Sequence, residues 1–252
     1  MVMEIKLMRT SNGATHQVWF AFQGLKLAVY HHGIPKPRAL TAEELAVFAE
    51  FGYSVACPVR AGYLQSTPQP PAPMLADAAA TSELVDQLGF DSFISIGFSG
   101  GGPRALGDAL TNPKMQAAAT FGSVAAPHLD FDYFGELPEA ERDAMLQLKE
   151  AGIAMLPQFE EWSASSPEMN VGAAGWLNDE LSMLNDWGFD PADIRKPVLL
   201  VASEADQNVP LSHSRWLHRR IGGSDLIEVP GLDHDQIFNP KTIRMVLDRF
   251  AE

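Results

Sequence analysis

A glycine-rich pentapeptide holds the serine whose setting favours nucleophilic chemistry. It is Gly97-Phe98-Ser99-Gly100-Gly101, and it follows the apolar run FISIG and precedes a stretch of small residues that predicts a helix. A sharp turn from strand to helix strains the backbone of the serine, and Gly97 and Gly101 have no Cβ to clash there. The start of the helix also aims unpaired N–H groups at an incoming carbonyl oxygen. Ser99 is therefore the candidate nucleophile.

The second candidate is a histidine, because a serine hydroxyl is a weak nucleophile until an imidazole takes its proton. The chain has seven histidines, and His234 lies in the short polar loop GLDHDQ, between the strand-like run LIEV and the last predicted helix. A loop after a parallel strand lies at the carboxyl edge of the sheet, where Ser99 is also predicted. His234 is therefore the candidate base. The alternative is a surface histidine that bonds a neighbouring aspartate.

The third candidate is an acidic side chain, which has to orient the imidazole. The loop SEADQNVP, after the apolar run PVLLVAS, offers two. Glu204 lies near the end of the strand, whereas Asp206 lies at the top of the loop before the next helix, so Asp206 is preferred. The order Ser99, Asp206, His234 is also the chain order of one of the folds that carry a serine triad.

Strand-like and helix-like segments alternate along most of the chain, and this alternation predicts how the candidates are held. We expect an α/β fold with a mostly parallel central sheet flanked by helices, since each crossover between parallel strands needs a helix. Period-two apolar residues near the N-terminus predict antiparallel strands at one edge. Residues 128–188 contain helix-like stretches and no convincing strand, which predicts an inserted helical cap. The core domain then consists of residues 1–127 and 189–252.

Several loops extend the pattern beyond the three candidates. The sequence resembles the α/β-hydrolase superfamily, in a member with a serine nucleophile and a cap, in four segments: His32-Gly33-Ile34-Pro35, Arg60-Ala61-Gly62-Tyr63, Gly97-Phe98-Ser99-Gly100-Gly101 and Gly231-x-x-His234. The likeness covers most of the chain outside residues 128–188. Because the nucleophile position holds serine and not aspartate, the resemblance argues against haloalkane dehalogenases and epoxide hydrolases.

The resemblance also implies roles for backbone groups. It implies an oxyanion hole made by the N–H groups of Ile34 and of Gly100, the residue directly after the nucleophile. The resemblance also implies that four residues support the nucleophile and the oxyanion hole. They are His32 and Gly33 of the first loop, and Gly97 and Gly101 of the turn around Ser99, which is called the nucleophile elbow. The chain departs from the family where Lys36 and Pro37 follow the first loop in place of a small pair, and where Ala61 and Leu64 replace the usual proline and glycine.

Aromatic residues near the elbow and in the predicted cap are candidates for a substrate pocket. The expected lining residues are Phe98, Phe159, Trp162 and Trp176. The alternative for each cap residue is that it packs the cap onto the core domain, which is the commoner fate of such side chains.

Composition and charge exclude several kinds of partner. The formal net charge is −14, from 18 Lys and Arg against 32 Asp and Glu, so neither nucleic acid nor an anionic membrane is an expected partner. The single cysteine and the lack of metal-ligand spacing argue against a metal, and phosphate-binding glycine patterns are missing, so no cofactor is expected. The N-terminus lacks a secretory pattern and no apolar run reaches the roughly 20 residues of a membrane span, which favours a cytoplasmic protein. A monomer and a homodimer both remain open.

The expected function is that of a serine hydrolase acting on a small, partly apolar substrate. The resemblance favours a carboxylic ester, cleaved through an acyl-enzyme. A peptidase similar to the proline iminopeptidases and a carbon–carbon bond hydrolase use the same three residues and remain alternatives. A non-catalytic protein that binds a small ligand is the alternative of a different class, because a fold does not determine a function.

Overall fold

One eight-stranded sheet forms the centre of the fold. The structure is a computed structural model that describes residues 2–251. The strands are β1 (Glu4–Arg9), β2 (Thr15–Ala21), β3 (Lys26–His31), β4 (Tyr53–Pro58), β5 (Phe93–Phe98), β6 (Met115–Phe121), β7 (Val198–Ala202) and β8 (Asp225–Glu228). Their spatial order is β1-β2-β4-β3-β5-β6-β7-β8. The pairs β1–β2 and β2–β4 are antiparallel, and all later pairs are parallel. The predicted fold class, with its antiparallel edge, is confirmed.

Helices cover both faces of this sheet. The described helices are α1 (Ala42–Glu50), α2 (Ala76–Leu88), α3 (Gly102–Thr111), α4 (Glu139–Ala151), α5 (Leu156–Ala164), α6 (Ala173–Leu184), α7 (Leu211–Arg220) and α8 (Pro240–Ala251), and those that cover the sheet are α1, α2, α3, α7 and α8. Alternate side chains of a strand point to opposite faces. In β3, Leu27 belongs to the core beneath α2, α3 and α7, whereas Ala28 belongs to the core beneath α1 and α8. Both faces are therefore apolar, as a parallel sheet requires.

Local sequence signals explain how single helices begin. A capping box starts α1: Thr41 Oγ1 accepts a hydrogen bond from the Glu44 N–H at 3.2 Å, and the Glu44 carboxylate accepts one from the Thr41 N–H at 2.7 Å. The last helix begins at Pro240. Asn239 Oδ1 accepts from the N–H groups of Lys241 and Thr242 there, so a side-chain cap sets the beginning of this helix.

The long segment between β6 and β7 contains α4, α5 and α6, and the described chain has no strand within it. Helices α5 and α6 pack on each other, and Phe159, Leu177 and Leu181 form a small apolar core of their own. That residues 128–188 act as a cap stays a prediction.

The strands that precede the candidate loops end at the same edge of the sheet. In the parallel register, His31 of β3 pairs with Gly97 of β5, and Phe98 pairs with Phe121 of β6. The loops after β3, β5, β6, β7 and β8 therefore emerge side by side, which is the edge where open α/β sheets bind ligands. In the described part of the chain, no helix is long and apolar enough to cross a membrane.

Candidate active site

Ser99 stands at the turn between β5 and α3, in a backbone conformation that few residues other than glycine adopt. Its φ is 54°, and a single 3-10 turn, Ser99–Gly101, leads into the helix. A side chain in this region costs about 1–3 kcal/mol and persists only where the surroundings enforce it. Crowding enforces it here, because a Cβ at Gly97 would lie 2.3 Å from the Gly101 carbonyl oxygen and a Cβ at Gly101 would lie 2.2 Å from the His31 carbonyl oxygen.

The imidazole of His234 lies between Ser99 and Asp206. His234 Nε2 is 2.9 Å from Ser99 Oγ, and His234 Nδ1 is 2.7 Å from Asp206 Oδ2. A carboxylate accepts and does not donate, so Nδ1 carries the proton and Nε2 is left to accept the serine O–H. The ring of Phe98 packs 5.0 Å from the imidazole, centroid to centroid. This arrangement places a proton acceptor on the serine hydroxyl.

The carboxylate of Asp206 is buried and held by the backbone. Its Oδ1 accepts hydrogen bonds from the N–H groups of Asn208 at 3.0 Å and Val209 at 2.8 Å, which leaves Oδ2 for the histidine. Glu204, the other acidic residue of this loop, is exposed and makes no hydrogen bond to His234 within residues 2–251. The structure therefore brings together Ser99, His234 and Asp206, the three residues that the sequence favoured.

Gly122 is a fourth position at this site that sequence reasoning missed. It follows β6 with a φ of +56°, and a Cβ there would lie 3.0 Å from Asp206 Oδ2 and 3.3 Å from His234 Nδ1. Only glycine lets the chain pass so close to the acid and the base. The signal was available, since a single glycine ends the apolar run AAATFG at the carboxyl edge.

The two predicted oxyanion donors adjoin each other beside Ser99. A Cβ at Gly100 would lie 2.4 Å from Cδ1 of Ile34, so the loops that carry the two N–H groups are in contact. Within residues 2–251, the Ile34 N–H has no hydrogen-bond acceptor. Gly33 is also constrained, because a Cβ there would approach the Phe98 ring to 3.0 Å and Ser99 Cβ to 3.4 Å.

His32 is buried beneath this loop and is neutral. Burial, and then the nearby Arg60 guanidinium, hold the pKa of His32 well below its usual value. Its Nδ1 is 2.7 Å from the Gly33 carbonyl oxygen and its Nε2 is 3.4 Å from the Arg60 N–H. The neutral ring fits both contacts when Nδ1–H donates to the carbonyl and Nε2 accepts from the amide.

A cavity of about 660 Å³ opens over Ser99 and His234. Its apolar lining comes from the loops and from α4 and α6: Ile34, Phe98, Val124, Leu137, Met145, Met183, Val209 and Phe238. Its polar lining includes Lys36, Arg38, Tyr133, Glu141, Glu180 and His213. In the described chain, no group of three His, Cys, Asp or Glu side chains is arranged to hold a metal ion.

Of the four aromatic residues expected in the pocket, Phe98 lines this cavity and the other three lie elsewhere. Phe159, Trp162 and Trp176 pack against one another in tilted and edge-on contacts, with ring centroids 4.9–6.1 Å apart. Phe159 is buried in the small core between α5 and α6, and Trp162 is 41% exposed. The expectation that these three side chains line the pocket therefore needs correction, because they hold α5 against α6.

His213 and Glu180 are titratable side chains of the cavity wall that no sequence motif marks. Burial lowers the pKa of His213 to about 4, and its Nδ1 accepts a hydrogen bond from the Ala125 N–H at 3.0 Å, so this imidazole is neutral at pH 7. Burial raises the pKa of Glu180 to about 7, although its Oε1 accepts a hydrogen bond from Trp176 Nε1 at 3.1 Å. Glu180 therefore changes charge close to neutral pH.

Comparisons with known proteins agree with this fold. Residues 172–250 match a family described as TAP-like protein. An esterase from Exiguobacterium antarcticum superposes with a TM-score of 0.77 at 20% identity, over 98% of this chain and 99% of that one. A bromoperoxidase from Bacillus anthracis gives a TM-score of 0.73 at 20% identity, over 98% and 99% of the two chains. A structure titled as novel epoxide hydrolases, from metagenomes of hot environments, gives 0.72 at 19% identity, over 100% and 99%.

The sequence identities in these comparisons are low. No protein matches in a search of the curated proteins. At identities of 15–20%, the structural likeness defines the fold and leaves the reaction open. The chain has the α/β-hydrolase fold that the resemblance implied from the sequence.

Proposed function

We propose that this protein is a serine hydrolase that cleaves an ester, or a related acyl bond, of a small and partly apolar substrate. The observation that carries the proposal is the unbroken chain of hydrogen bonds from Ser99 Oγ through His234 to Asp206, with distances of 2.9 Å and 2.7 Å. Ser99 faces the cavity, and the backbone of Ser99 has the strained conformation that a nucleophile elbow, the sharp turn from strand to helix, requires.

The reaction begins when Ser99 Oγ attacks the substrate carbonyl carbon and His234 Nε2 takes the hydroxyl proton. Asp206 keeps Nδ1 protonated and stabilises the imidazolium that forms. The N–H groups of Ile34 and Gly100 hold the new oxyanion, an interaction whose loss costs on the order of 3 kcal/mol per donor. His234 then gives its proton to the leaving alcohol. Water, activated by the same imidazole, releases the acyl group and restores the serine.

The shape and lining of the cavity support a small substrate with an apolar part. About 660 Å³ lies within the usual range for small-molecule sites, and methionine, valine, leucine and phenylalanine side chains form much of the wall. An ester is favoured over a peptide or a carbon–carbon bond because structural neighbours with this fold are titled as esterases. The polar side chains of the cavity then determine which esters bind.

The experiment that tests the proposal is labelling with a small fluorophosphonate, followed by measurement of the intact mass and by peptide mapping. This reagent needs an activated serine and no knowledge of the substrate. We expect one adduct, on Ser99, that is lost in Ser99→Ala and His234→Ala. The matched control is His213→Asn, which changes a histidine of the same cavity outside the triad and should keep the adduct.

Labelling of a different residue, or equal labelling in wild type and His234→Ala, would contradict the proposal. No labelling of the wild-type protein, together with a melting temperature that rises with a small ligand, would favour a non-catalytic binding protein on this fold.

A further inference from the structure

We infer that Asp179 of α6 is a positioning residue for the oxyanion hole, because it anchors two buried arginines beside the two donors. Arg60 holds the peptide group that carries the Ile34 N–H, and Arg104 holds the peptide group directly after Gly100. The inference rests on the proposed function, since it assigns the oxyanion role to the N–H groups of Ile34 and Gly100. Asp179 lies in α6, outside the two segments that carry Ile34 and Gly100.

Asp179 joins Arg60 and Arg104 in a buried cluster. Its carboxylate is 2.6 Å from Arg60 Nη2, 2.9 Å from Arg60 Nε and 2.8 Å from Arg104 Nη2. All three side chains are at most 6% exposed. Burial opposes the charged form of Asp179, but the two guanidinium groups outweigh it and hold the pKa of Asp179 below its usual value. A carboxylate shared by two guanidinium groups through several short bonds fixes the position of both.

The first arginine holds the loop that carries Ile34. Arg60 Nη1 donates to the His32 carbonyl oxygen at 2.7 Å, and Arg60 Nη2 donates to the Gly33 carbonyl oxygen at 3.1 Å. The Gly33 carbonyl belongs to the same peptide group as the Ile34 N–H. Since the C=O and N–H of a trans peptide point in opposite directions, a fixed carbonyl aims the amide. Charge on the carbonyl side also polarises the amide, which strengthens it as a donor.

The second arginine holds the turn that carries Gly100. Arg104 Nη1 donates to the Gly100 carbonyl oxygen at 2.6 Å. Its Nη2 also donates to Ser182 Oγ at 2.8 Å, and its Nε donates to Asp77 at 3.1 Å. Asp179 and Ser182 lie one turn apart on α6, so this helix supplies two of the three side chains that orient the guanidinium.

The consequence is that one carboxylate lies behind both donors: through Arg60 it aims the Ile34 N–H, and through Arg104 it holds the peptide group that directly follows the Gly100 N–H. Within residues 2–251, Asp179 is the one carboxylate that forms an ion pair with Arg60. Loss of its negative charge leaves a buried guanidinium without a counter-ion, so Arg60 has to move or to draw in water. The Gly33–Ile34 peptide then loses its fixed direction. Misplacement of catalytic groups by about 1 Å costs up to about 100-fold in rate.

The test compares an ester with the thionoester of the same acyl and leaving groups. The sulfur of a thionoester is a weak hydrogen-bond acceptor, so its hydrolysis depends less on the oxyanion donors. A smaller fraction of folded enzyme lowers both rates equally and leaves their ratio unchanged. In Asp179→Asn we expect the ester-to-thionoester ratio of kcat/KM to fall by about tenfold or more. The rate of fluorophosphonate labelling of Ser99 should fall as well.

The control is Asp190→Asn, the same chemical change at another ion pair. Asp190 pairs with Arg220 and lines no part of the cavity in the described structure, so the ester-to-thionoester ratio should equal that of the wild type. If Asp179→Asn does not fold, the same ratio is measured in Ser182→Ala, which removes one acceptor of Arg104 and should lower the ratio by a smaller factor.

An unchanged ratio in every folded variant of the two positions overturns the inference and leaves the proposed function intact. A wild-type protein that neither hydrolyses esters nor reacts with the fluorophosphonate overturns the proposed function itself. The two failures are therefore distinguishable.

Discussion

The substitution Asp206→Asn tests whether this side chain sets the tautomer of His234. The two carboxylate oxygens have different neighbours: Oδ1 accepts two backbone N–H groups, from Asn208 and Val209, and Oδ2 contacts His234 Nδ1. In the asparagine variant, the two N–H donors require an acceptor opposite them. The amide oxygen therefore takes the Oδ1 position and the NH₂ group takes the Oδ2 position.

This orientation inverts the proton arrangement at the site. The NH₂ group donates to Nδ1, so the histidine proton moves to Nε2, which then donates to Ser99 Oγ and no longer accepts from it. The shape of the side chain is unchanged, and only the direction of the hydrogen bonds differs. We expect kcat for ester hydrolysis to fall by about 10⁴-fold, the loss that the same substitution causes in a serine protease triad. The melting temperature should change little.

The assay is steady-state hydrolysis of an activated ester, beside the rate of fluorophosphonate labelling of Ser99. Glu204→Gln is the matched control, because Glu204 is the exposed acid of the same loop and its removal should leave both rates at the wild-type level. A loss of less than about tenfold in Asp206→Asn, with the fold retained, would refute the reasoning that Asp206 fixes the tautomer.

Two other positions give tests of a different kind. Gly122→Ala places a Cβ 3.0 Å from Asp206 Oδ2 at a φ of +56°, so we expect a stability loss of about 1–2 kcal/mol and a fall in kcat of about tenfold. The control is Gly231→Ala, at a φ of +70° with no atom within 4 Å of the new Cβ. It should show the same stability loss in chemical denaturation and keep the wild-type kcat. Glu180→Gln should make stability less dependent on pH. Because burial raises the pKa of Glu180 from 4.5 to about 7, the folded state binds more protons than the unfolded state between these values, and its stability falls as pH rises through them, by at most about 3 kcal/mol. The melting temperature of the variant relative to wild type should therefore rise between pH 5 and pH 8, and a constant difference would show that Glu180 titrates normally.

The sequence was sufficient to predict the sheet and the three residues at its edge because both depend on local patterns. Apolar runs mark the strands, and polar loops that contain Ser99, Asp206 and His234 follow three of them. Parallel pairing then brings the ends of those strands to one edge without further information. The choice of Asp206 over Glu204 also came from position along the loop, and the structure places Asp206 on the histidine.

The lining of the cavity did not follow from such patterns. Phe159, Trp162 and Trp176 occupy apolar positions of helices, and an apolar helix face can pack on a neighbouring helix as readily as on a ligand. Sequence periodicity shows which face is apolar and not what covers it. In the structure α5 and α6 cover each other, and much of the wall of the cavity comes from Tyr133, Met145 and other residues that no motif marks.

The cluster around Asp179 shows a second limit, because its members are brought together only by the tertiary fold. Arg60 and Asp179 are 119 positions apart, and Arg104 and Asp179 are 75 apart. Arginine and aspartate side chains usually lie at the surface, so residue type alone predicts an exposed position for all three. Their burial has a physical reason once the site is known. Carbonyl groups behind an oxyanion hole need donors, and a guanidinium offers several in a fixed plane, but it enters the interior only with a carboxylate beside it. A buried acid on a helix far along the chain is thus the expected counterpart of arginines that support such a hole.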